Sequence, residues 1–328
     1  MSRLAAPAQV SDIRRFAKTA RFFRALSLGL MFSSFGLAHA GTEAIADIEG
    51  LAASYLQPDN FNGLAAVIVA GSGPTDRNGN NAFGLKTDTY RLIAEELEKT
   101  GVASVRYDKR GVGASSAKVT SEDSLTIEQF ADDSLKVAEW LRQQKGVRDV
   151  VLIGHSEGGV VALLAADRIK PKALILLASP GRPLAVLIKE QMSHPAVPDP
   201  VREKALPILA ALDRGETVGS VPAELMGIFR PSIQVFLRSL MKLDPAALLA
   251  ANKFPTLVIG GSRDVQVTRA DFDSLTRSRP KVESLWVTDM THSLKALPTG
   301  ALQQRTYTDP SLPLASGVMT AINGFLKQ

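Results

Sequence analysis

The chain contains no cysteine. That single absence excludes disulfides, thiolate catalysis, cysteine-ligated zinc and thioether lipid anchoring. A protein without these devices must be held by its core alone. With 45 % hydrophobic and 22 % charged residues in 328, the apolar material for such a core is present. Histidine is scarce too: only His39, His155, His194 and His292 occur, so any imidazole base can be sought by elimination. There is no internal repeat and no low-complexity segment.

An excess of charge is also missing once the N-terminus is set aside. The formal net charge is +5. Arg3, Arg14, Arg15, Lys18, Arg21 and Arg24, against the lone acid Asp12, account for that excess, and the remainder is balanced. A nucleic-acid partner is therefore not expected. The basic leader runs into a weakly polar to apolar stretch, Ala25 to Leu37, and then Ala38-His39-Ala40. This is the three-part pattern of a secretory signal peptide, with cleavage after Ala40 and a periplasmic or secreted mature protein from residue 41. The apolar stretch is too short for a comfortable span, so no stable membrane segment is expected after cleavage. An uncleaved anchor is the alternative.

Strands and helices alternate through most of the chain. Leu64–Ala70, Val102–Tyr107, Asp149–Ile153, Ala173–Ala178, Pro255–Gly260 and Val282–Val287 read as buried strands. Tyr90–Lys99 and a segment from Thr126 to about Gln144 read as helices, the second opened by a capping box of Thr126 and Gln129. The pattern predicts an α/β fold, a mostly parallel sheet flanked by helices. Residues 183–253 break the rhythm with proline-separated helical stretches, Leu184–Met192, Pro200–Arg214 and Pro231–Ala251. Such an insertion reads as a helical cap over the C-terminal sheet edge, and a peripheral packing domain is the bland alternative. Its apolar residues Leu225, Met226, Ile228, Phe229, Val235, Phe236 and Leu237 are expected to favour an apolar acyl or alcohol group, or else to pack the cap on itself.

The chemistry is concentrated in Gly154-His155-Ser156-Glu157-Gly158. A strand precedes it and a small, apolar helical segment follows it. That is the context of a nucleophile elbow, which lifts a serine oxygen clear of the sheet at a helix N-terminus. A serine hydroxyl needs a base, and the base needs an orienting acid. His39 falls in the leader, His155 adjoins Ser156 on one turn, and His194 lies in the insertion. His292, after the last core strand, is the candidate base. Asp264, in the loop following the strand that ends at Gly260, is the candidate acid, with Asp289 as runner-up. The oxyanion of acyl transfer would be met by the backbone N–H of Glu157 and of Ser72, in Gly71-Ser72-Gly73. A phosphate-binding reading of that loop fails, because no Walker lysine follows and the glycine spacing is wrong. The loop Asp108-Lys109-Arg110-Gly111-Val112-Gly113-Ala114-Ser115 is expected to brace the sheet edge. No metal or cofactor is expected.

Taken in order, Gly71-Ser72-Gly73-Pro74, Asp108 to Ser115, Gly154 to Gly159, Asp264-Val265-Gln266-Val267 and Met290-Thr291-His292 resemble the α/β-hydrolase superfamily. The likeness is to bacterial serine carboxylesterases related to the serine aminopeptidase-like branch. Gly71 to Gly79 and Lys242-Leu243-Asp244-Pro245 are similar to one esterase branch, and the resemblance runs from about Gly63 to Leu326. It implies Ser156 as nucleophile, Asp264 as acid and His292 as base. Many relatives carry histidine-glycine at the oxyanion loop where Ala70-Gly71 stands here. The implied activity is hydrolysis of short to medium acyl esters, with a small-molecule ester as partner. An aminopeptidase would instead need an acid in the cap to hold a substrate amine, and Glu190 and Glu224 are the candidates. A non-catalytic ligand-binding fold is the third reading.

Overall fold

The computed structural model describes residues 41–195, 197–297, 300 and 302–328. The leader lies outside the described residues. Eight strands form one sheet in the order β1-β2-β4-β3-β5-β6-β7-β8. They are β1 (Thr42–Ile48), β2 (Leu51–Gln57), β3 (Leu64–Val69), β4 (Ala103–Tyr107), β5 (Asp149–His155), β6 (Ala173–Leu177), β7 (Thr256–Gly261) and β8 (Glu283–Val287). Strands β3 to β8 pair in parallel, while β1–β2 and β2–β4 are antiparallel. The first hairpin is absent from the sequence reading. Its turn, Glu49-Gly50, takes positive φ at both residues (51° and 82°), as a two-residue hairpin requires. Glu-Gly is a weaker turn signal than Asn-Gly or Asp-Gly, and β1 shows solvent most of its side chains.

Both sheet faces are covered because buried strands alternate their side chains. Val67 and Leu152 face α2 (Ile127–Arg142) and α3 (Glu157–Ile169), whereas Ile68 and Ile153 face α1 (Thr89–Glu98) and α11 (Val318–Phe325). Each such side chain contributes about 1.5–3 kcal/mol when fully buried. The expected capping box at Thr126 and Gln129 is formed.

Between β6 and β7 the chain runs through α4 (Leu184–Met192), α5 (Asp199–Asp213), α6 (Met226–Phe229), α7 (Gln234–Met241) and α8 (Pro245–Ala251). The single stretch expected over Pro231–Ala251 is in fact two helices. Asp244 accepts hydrogen bonds from Ala246 and Ala247 N–H (3.0 and 3.1 Å), and Pro245 takes the first helical position, so a new helix starts there. The insertion has its own core, in which Leu225 and Phe229 are buried beside Ile208, Leu212 and Met241. After β7 follow α9 (Arg269–Ser278), β8 and a short α10 (Arg305–Thr308).

The turn from β5 into α3 is compressed. A methyl group at Gly154 would overlap the Gly158 carbonyl oxygen, and one at Gly158 would overlap the Val69 carbonyl oxygen on β3. Gly158→Ala is therefore expected to destabilise by about 2–3 kcal/mol, lowering Tm by roughly 5–10 °C. Gly324→Ala, in α11 with open space around it, should instead stabilise by up to ~1 kcal/mol. Thermal melts of both variants check this, and equal Tm changes would refute the steric account.

Candidate functional site

Parallel pairing aligns the C-terminal ends of the central strands. Val69 lies opposite Gly154, and His155 opposite Leu177. The loops that leave these ends converge where strand order reverses about β3, the place where open α/β sheets bind ligands. Ser156 occupies the tight turn after β5, with φ 53° and ψ −126°, a strained backbone for a residue with a Cβ. Its N–H donates to the Leu177 carbonyl (2.9 Å), and its own carbonyl accepts from Gly159 N–H (2.9 Å).

Asp264 and His292 come from different loops, after β7 and β8, and meet: His292 Nδ1 donates to Asp264 Oδ2 at 2.8 Å. The other carboxylate oxygen accepts from Gln266 and Val267 N–H (2.8 and 2.9 Å), which fixes the carboxylate in place. With its proton on Nδ1, the neutral imidazole leaves Nε2 as an acceptor. Asp289, the runner-up acid, instead pairs with Arg263 at the surface (3.2 Å). Ser156 and His292 line one cavity together.

Ser72 lies beside them. A methyl on the preceding Gly71 would sit 3.2 Å from Ser156 Cβ, so the loop runs directly against the elbow. The peptide groups on the two sides of Gly71 are each held. Gly71 N–H donates to the Tyr90 hydroxyl (2.8 Å), and the Gly71 carbonyl accepts from Lys109 Nζ (2.5 Å). In a planar trans peptide the N–H opposes the C=O, so the Ser72 N–H points away from Lys109.

Tyr90 carries the connection further. Having accepted from Gly71, its hydroxyl donates to His155 Nδ1 (2.8 Å), and His155 Nε2–H donates to the His292 carbonyl (2.8 Å). One hydrogen-bonded chain thus ties the Ser72 loop, α1, the elbow and the His292 loop. Burial, reinforced by the neighbouring His292, pushes the His155 pKa down to about 3, so this imidazole stays neutral.

Tyr90 and Lys109 were not singled out by sequence reasoning. The signal was a lysine at the end of a buried strand, and it was read only as part of a loop brace. Its neighbours do brace: Asp108 accepts from Arg77 and Ala114 N–H (2.8 and 2.9 Å), and Arg110 pairs with Asp133 through two bonds of 2.6 Å. Lys109 does more, because its ammonium also lies 3.6 Å from Glu157 Oε1. Burial pushes Glu157 above the usual carboxylate range and Lys109 below the usual ammonium range, so desolvation outweighs their attraction. Glu157 thus has a structural role for its side chain beyond its backbone N–H.

Ser156 lines two cavities. The first, of about 150 Å³, has walls of Val160, Leu184, Leu187, Leu240 and Leu243, so the insertion contributes directly to it. Of the two roles offered for the apolar residues of the insertion, substrate contact or packing of the cap on itself, Leu225 and Phe229 take the second. Leu225 and Phe229 are buried in the insertion's own core, and Met226, Ile228 and Val235 are exposed. The second cavity, of about 200 Å³, lies on the His292 side. Among the described residues no cluster of three or more histidine, aspartate or glutamate side chains is placed to hold a metal ion.

Comparison with known proteins identifies the family to which this fold belongs. A family model described as serine aminopeptidase, S33, matches residues 83–294, well over half of the chain. The chain belongs to this family, within the α/β-hydrolase superfamily. It is 29 % identical over 238 residues to the esterase EstD of Thermotoga maritima, covering 70 % of this chain and 54 % of that protein. It is 39 % identical over 73 residues to the probable aminopeptidase YbaC of Bacillus subtilis, covering 22 % of this chain and 23 % of that one. The chain thus spans about half the length of the esterase it matches, and less of the aminopeptidase. Among solved structures, the α/β-hydrolase GrgF from Penicillium sp. sh18 aligns with a TM-score of 0.56 at 19 % identity. That alignment covers 87 % of this chain and 97 % of GrgF and shows a shared fold.

The depressed His155 pKa has a consequence for stability. An unfolded histidine titrates near 6.5 and the folded one near 3, so the unfolded state binds the extra proton between these values. Stability from this group is full above pH 6.5 and is lost as pH falls toward 3. His155→Gln can keep both hydrogen bonds without titrating. Its Tm should fall less than that of the wild type between pH 7 and pH 4, as differential scanning calorimetry would show. Parallel pH profiles would refute the neutral, buried assignment.

Proposed function

We propose that the protein is a carboxylic-ester hydrolase that uses Ser156, His292 and Asp264 as a catalytic triad. Ser156 attacks the ester carbonyl, and His292 takes its proton and returns it to the leaving alcohol. Asp264 holds the imidazole orientation, and the N–H groups of Ser72 and Glu157 stabilise the tetrahedral oxyanion. Water then cleaves the acyl-enzyme by the same route. The observation that carries this reading is the Asp264–His292 hydrogen bond beside the cavity that Ser156 also lines. The likeness to an esterase supports the ester as substrate. We also propose that the enzyme acts after export, with its mature chain beginning at Gly41; the leader pattern supports this.

The family description and the likeness to a probable aminopeptidase raise a peptidase reading. The two acids it would use are already paired with basic side chains, one of which, Arg182, lines the first cavity. Glu190 pairs with Arg182 (2.5 Å) and Glu224 with Lys204 (2.7 Å), and neither lines the cavities at Ser156.

Steady-state assays on p-nitrophenyl esters from acetate to laurate and on aminoacyl p-nitroanilides, with protein recovered from the cell envelope, test the proposal. Acetate to hexanoate esters should be preferred, and Ser156→Ala should lower kcat by at least about 10³-fold. Cleavage of the anilides without ester hydrolysis would establish the peptidase reading instead. Full activity in Ser156→Ala would overturn both.

A further inference from the structure

The two cavities at Ser156 differ in the side chains that line them, and the mechanism decides which half of an ester each receives. This step rests on the esterase reading. In acylation the Ser156 oxygen–carbon bond forms and the bond from acyl carbon to alkoxy oxygen breaks. The serine proton passes to His292 and then to the alkoxy oxygen, which leaves as the alcohol. A proton donor must come within about 3 Å of the atom it protonates. The alcohol half must therefore lie on the His292 side.

His292 lines only the second of the two cavities, and Ser72, Ser156 and Gln266 are the side chains common to both. The first cavity lacks His292; Val160, Leu184, Leu187, Leu240, Leu243 and Val267 line it, with Glu157, Arg182 and Gln191 also on its wall, and it is left for the acyl half. Its volume of about 150 Å³ matches that of an apolar protein cavity filled by benzene. That size suits an acyl chain of roughly four to six carbons.

The second cavity is lined by hydroxyls. Thr75, Thr87, Thr89, Ser293 and Tyr307 contribute to its wall, with Leu85 as the aliphatic exception. The threonine protons are already used within the protein. Thr75 donates to the Ser72 carbonyl (3.0 Å), Thr87 to the Gly79 carbonyl (2.6 Å) and Thr89 to the Ser293 carbonyl (2.9 Å). Thr87 Oγ1 also accepts from Thr89 N–H (3.2 Å) and the Tyr307 hydroxyl from Gln266 Nε2 (3.1 Å), so the spare acceptor capacity lies chiefly at Thr75 and Thr89, and it calls for a ligand that brings hydrogen-bond donors. Among the described residues the wall contains no aspartate, glutamate, lysine or arginine. Nothing there would compensate an ammonium, a carboxylate or a phosphate. The uncharged donors that the alcohol half of an ester most simply carries are further hydroxyl groups.

We infer that the enzyme's substrates are short-chain acyl esters of small, neutral polyhydroxy alcohols, with the polyol seated in the hydroxyl-lined cavity beside His292. At about 200 Å³ the cavity accepts an alcohol of glycerol to pentose size. An alkyl alcohol of equal size would offer no donor to the acceptor positions left at Thr75 and Thr89. Sites built to bind a substrate hydroxyl discriminate against analogues that lack it.

The test compares monobutyrin and a pentose monobutyrate with pentyl butyrate, whose alcohol has as many heavy atoms as glycerol. The readout is kcat/KM by pH-stat titration, with p-nitrophenyl butyrate as reference. One or both polyol esters should exceed pentyl butyrate by at least about tenfold, and the leading ester shows which polyol fits. Tyr307→Phe and Thr89→Val should each reduce that ratio several-fold, chiefly through KM. A wild-type ratio at or below one, with p-nitrophenyl butyrate still cleaved, overturns the inference and leaves the esterase reading intact. A high ratio untouched by both substitutions overturns the assignment of the cavity. No hydrolysis of any ester, p-nitrophenyl butyrate included, sinks the underlying esterase reading.

Discussion

The close packing of backbone on backbone at the β5–α3 turn is the constraint on which the rest of the site depends. Gly154 and Gly158 touch, and Gly158 lies against the carbonyls of Val69, the last residue of β3, and of Ala70 just beyond it. No side chain fits between them. The compression holds Ser156 at positive φ and sets it beside the N-terminus of α3. It also brings the loop after β3 directly onto the serine, so that the Gly71–Ser72 peptide and the elbow form one unit. Sequence, local strain and candidate chemistry are linked here through sterics alone.

A second layer of polar contacts orients what the sterics bring together. The chain from Gly71 through Tyr90 and His155 to the His292 carbonyl spans two loops that are far apart in sequence. Each buried donor in it finds an acceptor, which is the condition for a buried network to rigidify a site. Lys109 holds the carbonyl of the Gly71–Ser72 peptide and pairs with Glu157. Burial works against both charges, so this pair is a weak source of stability. Its evident structural effect is to fix peptide orientation next to Ser156.

The parts of the fold legible in the sequence were those written in local pattern. Continuous apolar runs marked the parallel strands, Thr126 and Gln129 marked a helix start, and the glycines about Ser156 marked the elbow. Asp264 and His292 could be picked by chain order and by the scarcity of histidine, and the structure brings those two together. The β1–β2 hairpin escaped because Glu49-Gly50 is a quiet turn signal and one of its strands is mostly solvated. The break before α8 was written in Asp244-Pro245 but masked by the apolar run around it. Tyr90, Lys109 and the Glu157 side chain escaped for a different reason. Their roles arise from long-range approach across the sheet, which no local spacing encodes. The cavity walls were likewise hidden. Leu184, Leu187, Leu240 and Leu243 differ from Leu225 and Phe229 in tertiary placement, not in composition.

The central claim is that Ser156 is a nucleophile activated by His292. The most direct measurement is intact-protein and peptide mass spectrometry after exposure to a fluorophosphonate, which reacts with activated serine hydroxyls. The account predicts one adduct per chain, on the peptide containing Ser156, and its loss in His292→Ala folded to the same Tm. Labelling that spares Ser156, or that persists unchanged in His292→Ala, would contradict it.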